Sequence, residues 1–127
     1  MYWNINGVGD KFDNEYVIEL LSNSNADILI ITETHFKIRF KTPQKYFFVA
    51  KSNTEYKNKA RGGVAIYQRL NCNLNLDVIS NDFNDLIVFT IRNSDFIFAA
   101  VYLPPIDSSY FSKDYFQTLD LKSVSKF

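Results

Sequence analysis

The chain has 127 residues, equal numbers of acidic and basic side chains, and 46% hydrophobic residues, many of them Phe and Tyr. This length fits one small domain, which we take as residues 1–127, and this composition excludes a disordered chain. No apolar run reaches the length of a membrane span and no signal peptide is visible, so we expect an intracellular, non-secreted protein without membrane contact. Cys72 is the only cysteine, which excludes an internal disulfide and a cysteine metal cluster.

A strand, a helix and a second strand are predicted at the start of the chain. The first strand covers residues 2–7, and Asp13 or Asn14 is the expected N-cap of the helix. The helix has apolar residues at helical spacing, namely Tyr16, Val17, Leu20 and Leu21. The second strand, residues 27–34, reads Asp-Ile-Leu-Ile-Ile-Thr-Glu-Thr and is expected to be buried on both faces.

An acid, Glu33, stands where this buried strand ends. Because parallel strands of such a unit end at the same sheet edge, Asn4 and Asn6 should lie on the same edge as Glu33. Glu33 would there face solvent, a cation or a partner, and the pattern alone leaves these alternatives open.

Further strands are predicted from alternating or continuous apolar residues, at positions 45–50, 63–70, 74–78, 86–92 and 95–103. The last two are apolar at nearly every position, so we expect them to be central strands covered on both faces. Pro104 ends the last strand and leaves Tyr102 near its end, either as an aromatic at the edge of the core or as part of a site. A final helix is expected after Ser112.

The charges are unevenly distributed along the chain. Between Lys37 and Arg69 the only acid is Glu55, against nine basic residues: Lys37, Arg39, Lys41, Lys45, Lys51, Lys57, Lys59, Arg61 and Arg69. Such a section either faces a phosphate backbone or forms solvated loops, and both interpretations stay open on this pattern.

The sequence contains short motifs that occur in two different protein families. Gly7-Val8-Gly9 follows a strand, as in dinucleotide-binding folds, but Phe12 occupies the place of the third small residue of that fingerprint. Four other segments, in order, carry a different resemblance: Trp-Asn-Ile-Asn-Gly at 3–7, the segment 27–34, Gly-Gly-Val-Ala-Ile-Tyr at 62–67 and Val-Tyr-Leu-Pro-Pro at 101–105. With these the chain resembles the endonuclease/exonuclease/phosphatase superfamily, which includes deoxyribonuclease I, and most of all the endonucleases of non-LTR retrotransposons.

This resemblance implies an α/β fold, the N-terminal half of a deoxyribonuclease I-like α/β sandwich with one mixed sheet and flanking helices. A chain with one sheet would leave the inner face of that sheet open, and we expect possible self-association through this face.

The resemblance also implies a chemistry. Glu33 would be a Mg²⁺ ligand, with Asn6 as a weaker one. Asn4 would help to hold the metal or the phosphate, and Tyr102 would orient the phosphate. The partner would be DNA, and the place of action the nucleus.

Two motifs of the superfamily are absent from the sequence, Gly-Asp-x-Asn with the base that activates water and Ser-Asp-His with a phosphate-contacting histidine. The only histidine, His35, is expected to be an exposed loop residue. We therefore expect a fragment of a DNA endonuclease that does not cleave alone. The alternative is a non-catalytic module that binds DNA or a protein and retains the scaffold.

Overall fold

The structure is a computed structural model that describes residues 1–36, 41–52 and 62–105. Its strands are Tyr2–Asn4 (β1), Ile28–Thr32 (β2), Tyr46–Lys51 (β3), Val64–Arg69 (β4), Leu76–Ser80 (β5), Leu86–Ile91 (β6) and Ile97–Val101 (β7). A 3-10 turn at Lys11–Asp13 precedes the helix Glu15–Asn23 (α1). Much of the basic section, at 37–40 and 53–61, and the helix expected after Ser112 lie outside the described residues.

The helix α1 begins where the sequence predicted it. The side chain of Asn14 accepts hydrogen bonds from the backbone N–H groups of Tyr16, at 2.9 Å, and Val17, at 3.4 Å, so Asn14 is the N-cap. Only part of the predicted apolar face is buried, because Leu21 is in the core whereas Tyr16 is 82% exposed. The helix therefore packs through the side that carries Val17 and Leu21.

A four-stranded mixed sheet in the order β1-β2-β4-β3 forms the first layer. β1 runs parallel to β2, with Asn4 opposite Thr32, and β4 runs antiparallel to β2, with Val64 opposite Thr32. The ends of β1 and β2 and the start of β4 consequently share one edge of this sheet.

The α/β class is confirmed, but the expectation of one mixed sheet was wrong. The described strands form a second, antiparallel sheet in the order β5-β6-β7. Ile66 of β4 packs with Ile87 and Phe89 of β6 in one core cluster. A second cluster lies on the other face of the first sheet, where Ile31 packs near Phe12 and Leu21.

The physical reason is that β2 and β4 have apolar side chains on both faces. Each face needs a cover, and the antiparallel sheet covers one while the helix side covers the other. Within residues 1–36, 41–52 and 62–105, the inner face of the first sheet is therefore covered by the second sheet rather than open.

The strand β7 differs from its prediction. Ile97 and Phe98 are 49% and 37% exposed, whereas the neighbouring β6 is buried from Leu86 to Phe89. β7 lies at the edge of the described antiparallel sheet, so one of its sides has no neighbouring strand there. No helix in the described ranges has the length and apolar character that crossing a membrane requires.

Candidate active site

Glu33 is the centre of the candidate site and directly follows β2. Its backbone has a left-handed conformation, with φ at 53°, which turns the chain out of the strand. Asn4, the last residue of β1, donates from Nδ2 to Glu33 Oε1 at 3.1 Å. The backbone N–H of Asn6 donates to Asn4 Oδ1 at 3.3 Å. The parallel pairing of β1 and β2 thus places an amide against a carboxylate.

Tyr102 reaches the same carboxylate from the second sheet. It follows β7, and its phenol donates a hydrogen bond to the Glu33 side chain. Its backbone N–H donates to the carbonyl oxygen of Asp85 at 2.9 Å. The structure therefore brings Asn4, Glu33 and Tyr102 together, whereas the described contacts of Asn6 are made by its backbone.

The electrostatics of the site keep Tyr102 protonated. Burial raises the pKa of its phenol most, and the hydrogen bond to Glu33 and the negative charges of Glu33 and Asp85 raise it further. A phenol with a raised pKa is a poor base at neutral pH, but it remains a hydrogen-bond donor. Tyr102 can therefore donate to a phosphate oxygen or to Glu33.

His35 also belongs to this region, contrary to the expectation of an exposed loop histidine. Its Nε2 lies 3.8 Å from Glu33 Oε2, and the two side chains are 22% and 20% exposed. Thr34, His35 and Lys41 help to line an adjacent cleft of about 200 Å³. The position of His35 two residues after Glu33 was visible in the sequence, but only the turn after β2 brings the two side chains together.

Asp85 is a residue of this region that sequence reasoning missed. It is fully buried, and its Oδ1 accepts a hydrogen bond from the backbone N–H of Gly63 at 2.6 Å. A signal existed, because Asp85 directly precedes the apolar strand β6. Glu33 has a similar position, as an acid at the end of an apolar strand.

A comparison with known protein families shows which family the chain belongs to. The model of the Endonuclease/Exonuclease/phosphatase family matches residues 1–114. The chain belongs to this family. No curated protein matches the chain.

Two solved structures have the fold of this endonuclease/exonuclease/phosphatase domain. One is the 3' phosphatase NExo from Neisseria bound to a product DNA hairpin, with 22% identity and a TM-score of 0.51 over 80% of this chain and 39% of that chain. The other is the 3'-5' exonuclease NExo from Neisseria meningitidis, with 21% identity and a TM-score of 0.50 over 80% and 40%. At these identities the likeness establishes the fold. The chain spans about two fifths of the length of either structure.

Members of the endonuclease/exonuclease/phosphatase family are generally metal-dependent nucleases. Within the described residues no three His, Cys, Asp or Glu side chains are grouped as a metal cluster. Glu33 and Asn4 nevertheless supply the oxygen ligands that Mg²⁺ prefers, and this ion is often held by one or two carboxylates and several waters. The donor set at Glu33 thus fits a weakly held, mostly hydrated Mg²⁺.

Proposed function

We propose that this chain is the metal-binding and DNA-binding part of a retrotransposon-type, Mg²⁺-dependent DNA endonuclease. The main observation that supports this proposal is the cluster of Asn4, Glu33 and Tyr102 at the edge shared by the two sheets. The family match supports phosphodiester chemistry, and the Gly-Gly-Val-Ala-Ile-Tyr and Tyr-Leu-Pro-Pro segments support the retrotransposon type. Such an enzyme would act on nuclear DNA.

In this proposal each residue has a distinct role. Glu33 holds Mg²⁺, and Asn4 orients the Glu33 carboxylate through its amide. Tyr102, kept protonated, donates its single phenol hydrogen to Glu33 in the free chain and to a DNA phosphate oxygen when DNA is bound. Asn6 is a weaker candidate ligand. Bound Mg²⁺ would supply charge neutralisation at the phosphate.

The 127 residues by themselves are not expected to cleave DNA. Phosphodiester hydrolysis also needs a base that activates water, and the sequence contains neither Gly-Asp-x-Asn nor Ser-Asp-His. Tyr102 is unsuited to that task because its pKa is raised.

The chain is also proposed to self-associate. The expected route was an open sheet face, but the most exposed apolar residues at the second sheet lie on and before β7, with Phe96 at 70% exposure and Ile97 at 49%, whereas Val78 and Ile79 of β5 are 37% exposed. We therefore place the association at this edge strand, whose segment from Phe96 to Leu103 carries no charge.

Binding of metal and DNA tests the function. Mn²⁺, followed by water-proton relaxation and displaced by Mg²⁺, should bind the chain, and Glu33→Gln should weaken this binding at least tenfold, since it removes the one charged ligand. Glu19→Gln is the matched control, because Glu19 is an exposed acid on α1. Equal Mn²⁺ binding by all three proteins would contradict the proposal.

DNA binding distinguishes the endonuclease part from a non-catalytic module. Fluorescence anisotropy with a labelled duplex should show binding that weakens with salt and tightens with Mg²⁺, and Glu33→Gln should abolish the Mg²⁺ effect. Binding that ignores both Mg²⁺ and Glu33 would favour the module.

Plasmid nicking tests the expected lack of cleavage. Supercoiled plasmid should stay intact with the chain and Mg²⁺. Nicking that survives purification and disappears in Glu33→Gln would show that the chain cleaves alone.

A further inference from the structure

Asp85 links elements that lie far apart in the sequence but meet at the candidate site. Its side-chain Oδ1 accepts from the N–H of Gly63, at the start of β4, and its carbonyl oxygen accepts from the N–H of Tyr102, after β7. One buried residue thus contacts both sheets.

The start of β4 is in turn bonded to the turn that carries Glu33. Thr34 N–H donates to Gly63 O at 3.3 Å, and His35 N–H donates to Gly62 O at 3.0 Å. The position of the Gly62–Gly63 backbone therefore affects the position of Glu33.

Together these bonds form a closed ring. It runs from Glu33 through Thr34 to Gly63, across to Asp85, on to Tyr102, and back through the phenol to the Glu33 carboxylate. Within this ring, the side chain of Asp85 makes one of the two bonds that span the sheets, and the Tyr102 phenol makes the other.

The local backbone is shaped to admit this side chain. A Cβ at Gly62 would lie 2.7 Å from Asp85 Oδ1, so a larger residue at position 62 would have to displace this carboxylate. Gly62 also has φ at 60° and Asp85 has φ at 58°, left-handed conformations that an ordinary side chain disfavours. The backbone around Gly62 therefore leaves room for the Asp85 side chain.

We infer that Asp85 is a positioning residue of the candidate site, which holds the Gly62–Gly63 backbone so that Glu33 and Tyr102 stay in hydrogen-bond contact. The inference rests on the proposed function, because Glu33 and Tyr102, which Asp85 positions, are the proposed metal ligand and phosphate donor. It assigns to Asp85 no contact with metal or DNA.

The test uses the Tyr102 phenol as a reporter, which requires no activity. With tyrosine labelled at ¹³Cζ, Tyr102→Phe identifies the Tyr102 signal among the eight tyrosines. Glu33→Gln shows where the signal moves when the carboxylate is lost. Asp85→Ala should move it in the same direction, and Asp85→Asn should restore most of the original position, because an amide oxygen can still accept from Gly63.

Gly62→Ala disturbs the same contact without changing Asp85, and so covers the case in which Asp85→Ala does not fold. Gly9→Ala is its matched control, since Gly9 also has a left-handed φ, 46°, but no atom lies within 4 Å of an added Cβ. Gly62→Ala should move the Tyr102 signal, and Gly9→Ala should not. Mn²⁺ affinity should fall roughly tenfold in Asp85→Ala and Gly62→Ala, and recover in Asp85→Asn.

The experiments distinguish a failure of the positioning role of Asp85 from a failure of the proposed function. A Tyr102 signal that stays in place in folded Asp85→Ala and Gly62→Ala overturns the positioning role, even where melting temperature falls. A wild-type chain that does not bind Mn²⁺ contradicts the proposed function, while the ¹³C signals still decide the role of Asp85.

Discussion

Tyr102 and Glu33 are 69 positions apart and follow strands of different sheets, yet the phenol of one donates a hydrogen bond to the carboxylate of the other. Their contact fixes the two sheets relative to each other at the edge where Asn4 also ends its strand. It places a neutral donor, an amide and an acid around one point, and these are the groups to which we assign metal and phosphate binding in the proposed function.

The first prediction concerns the amide of Asn4. Asn4→Asp replaces a donor to Glu33 Oε1, at 3.1 Å, with a second negative charge. Without metal the repulsion should lower the free energy of unfolding by about 1–4 kcal/mol. Mg²⁺ should restore more stability to this variant than to the wild type, because the added carboxylate strengthens cation binding. Melting temperatures in EDTA and in Mg²⁺ measure both effects.

The control for this variant is Asn93→Asp, which adds the same charge at an exposed turn far along the chain from Glu33. Its melting temperature should respond to Mg²⁺ as that of the wild type does. An Asn4→Asp protein that gains nothing extra from Mg²⁺ would argue against a cation at Glu33.

Alkaline stability provides the second prediction. Tyr67 is fully buried, and its burial raises the pKa of its phenol. At pH values above about 10, the folded chain therefore keeps this proton, whereas the unfolded chain loses it. Stability is retained below pH about 10 and falls above it, by about 1.4 kcal/mol per pH unit from this residue.

Urea unfolding at pH 8 and pH 11 measures this loss. Tyr67→Phe should lose less stability over this interval than the wild type, although it starts lower because the phenol donates to Lys41 O at 2.6 Å. Tyr16→Phe, at an 82% exposed position, should lose as much as the wild type. Equal losses of stability between pH 8 and pH 11 in all three proteins would mean that groups other than Tyr67 cause the loss.

The third prediction concerns self-association. Ile97→Lys places a charge on the exposed edge strand β7, and such charges prevent edge-to-edge pairing. Gel filtration with light scattering should show concentration-dependent oligomers for the wild type and fewer for this variant. Leu20→Lys, at a 51% exposed position on α1, should associate like the wild type. A wild-type chain that is monomeric at every concentration would refute the proposal.

The fourth prediction tests the helix start. Asn14→Ala removes the side-chain acceptor of two backbone N–H groups and should lower the free energy of unfolding by about 1 kcal/mol. Asn23→Ala, at the other end of α1, should change it much less. Urea unfolding followed by circular dichroism gives both values, and equal effects would mean that the cap contributes little.

Local patterns in the sequence determined much of the fold. The apolar runs of β2 and β4 and a helix N-cap at Asp13 or Asn14 were predictable, because strands and helix caps depend on neighbouring residues. The strand–helix–strand order also placed Asn4 on the edge of Glu33, since a parallel pair ends at one side of a sheet.

Only the tertiary structure decided how the sheets were divided and which distant groups met. That the described strands β5, β6 and β7 form a separate sheet follows from the need to cover both faces of β2 and β4, which no single strand specifies. The approach of His35 to Glu33 and the burial of Asp85 against Gly63 depend on left-handed turns and on packing between sheets. Asp85 and Gly63 are 22 positions apart, so the whole fold selects their contact, whereas His35 reaches Glu33, two positions before it, because of the left-handed turn after β2.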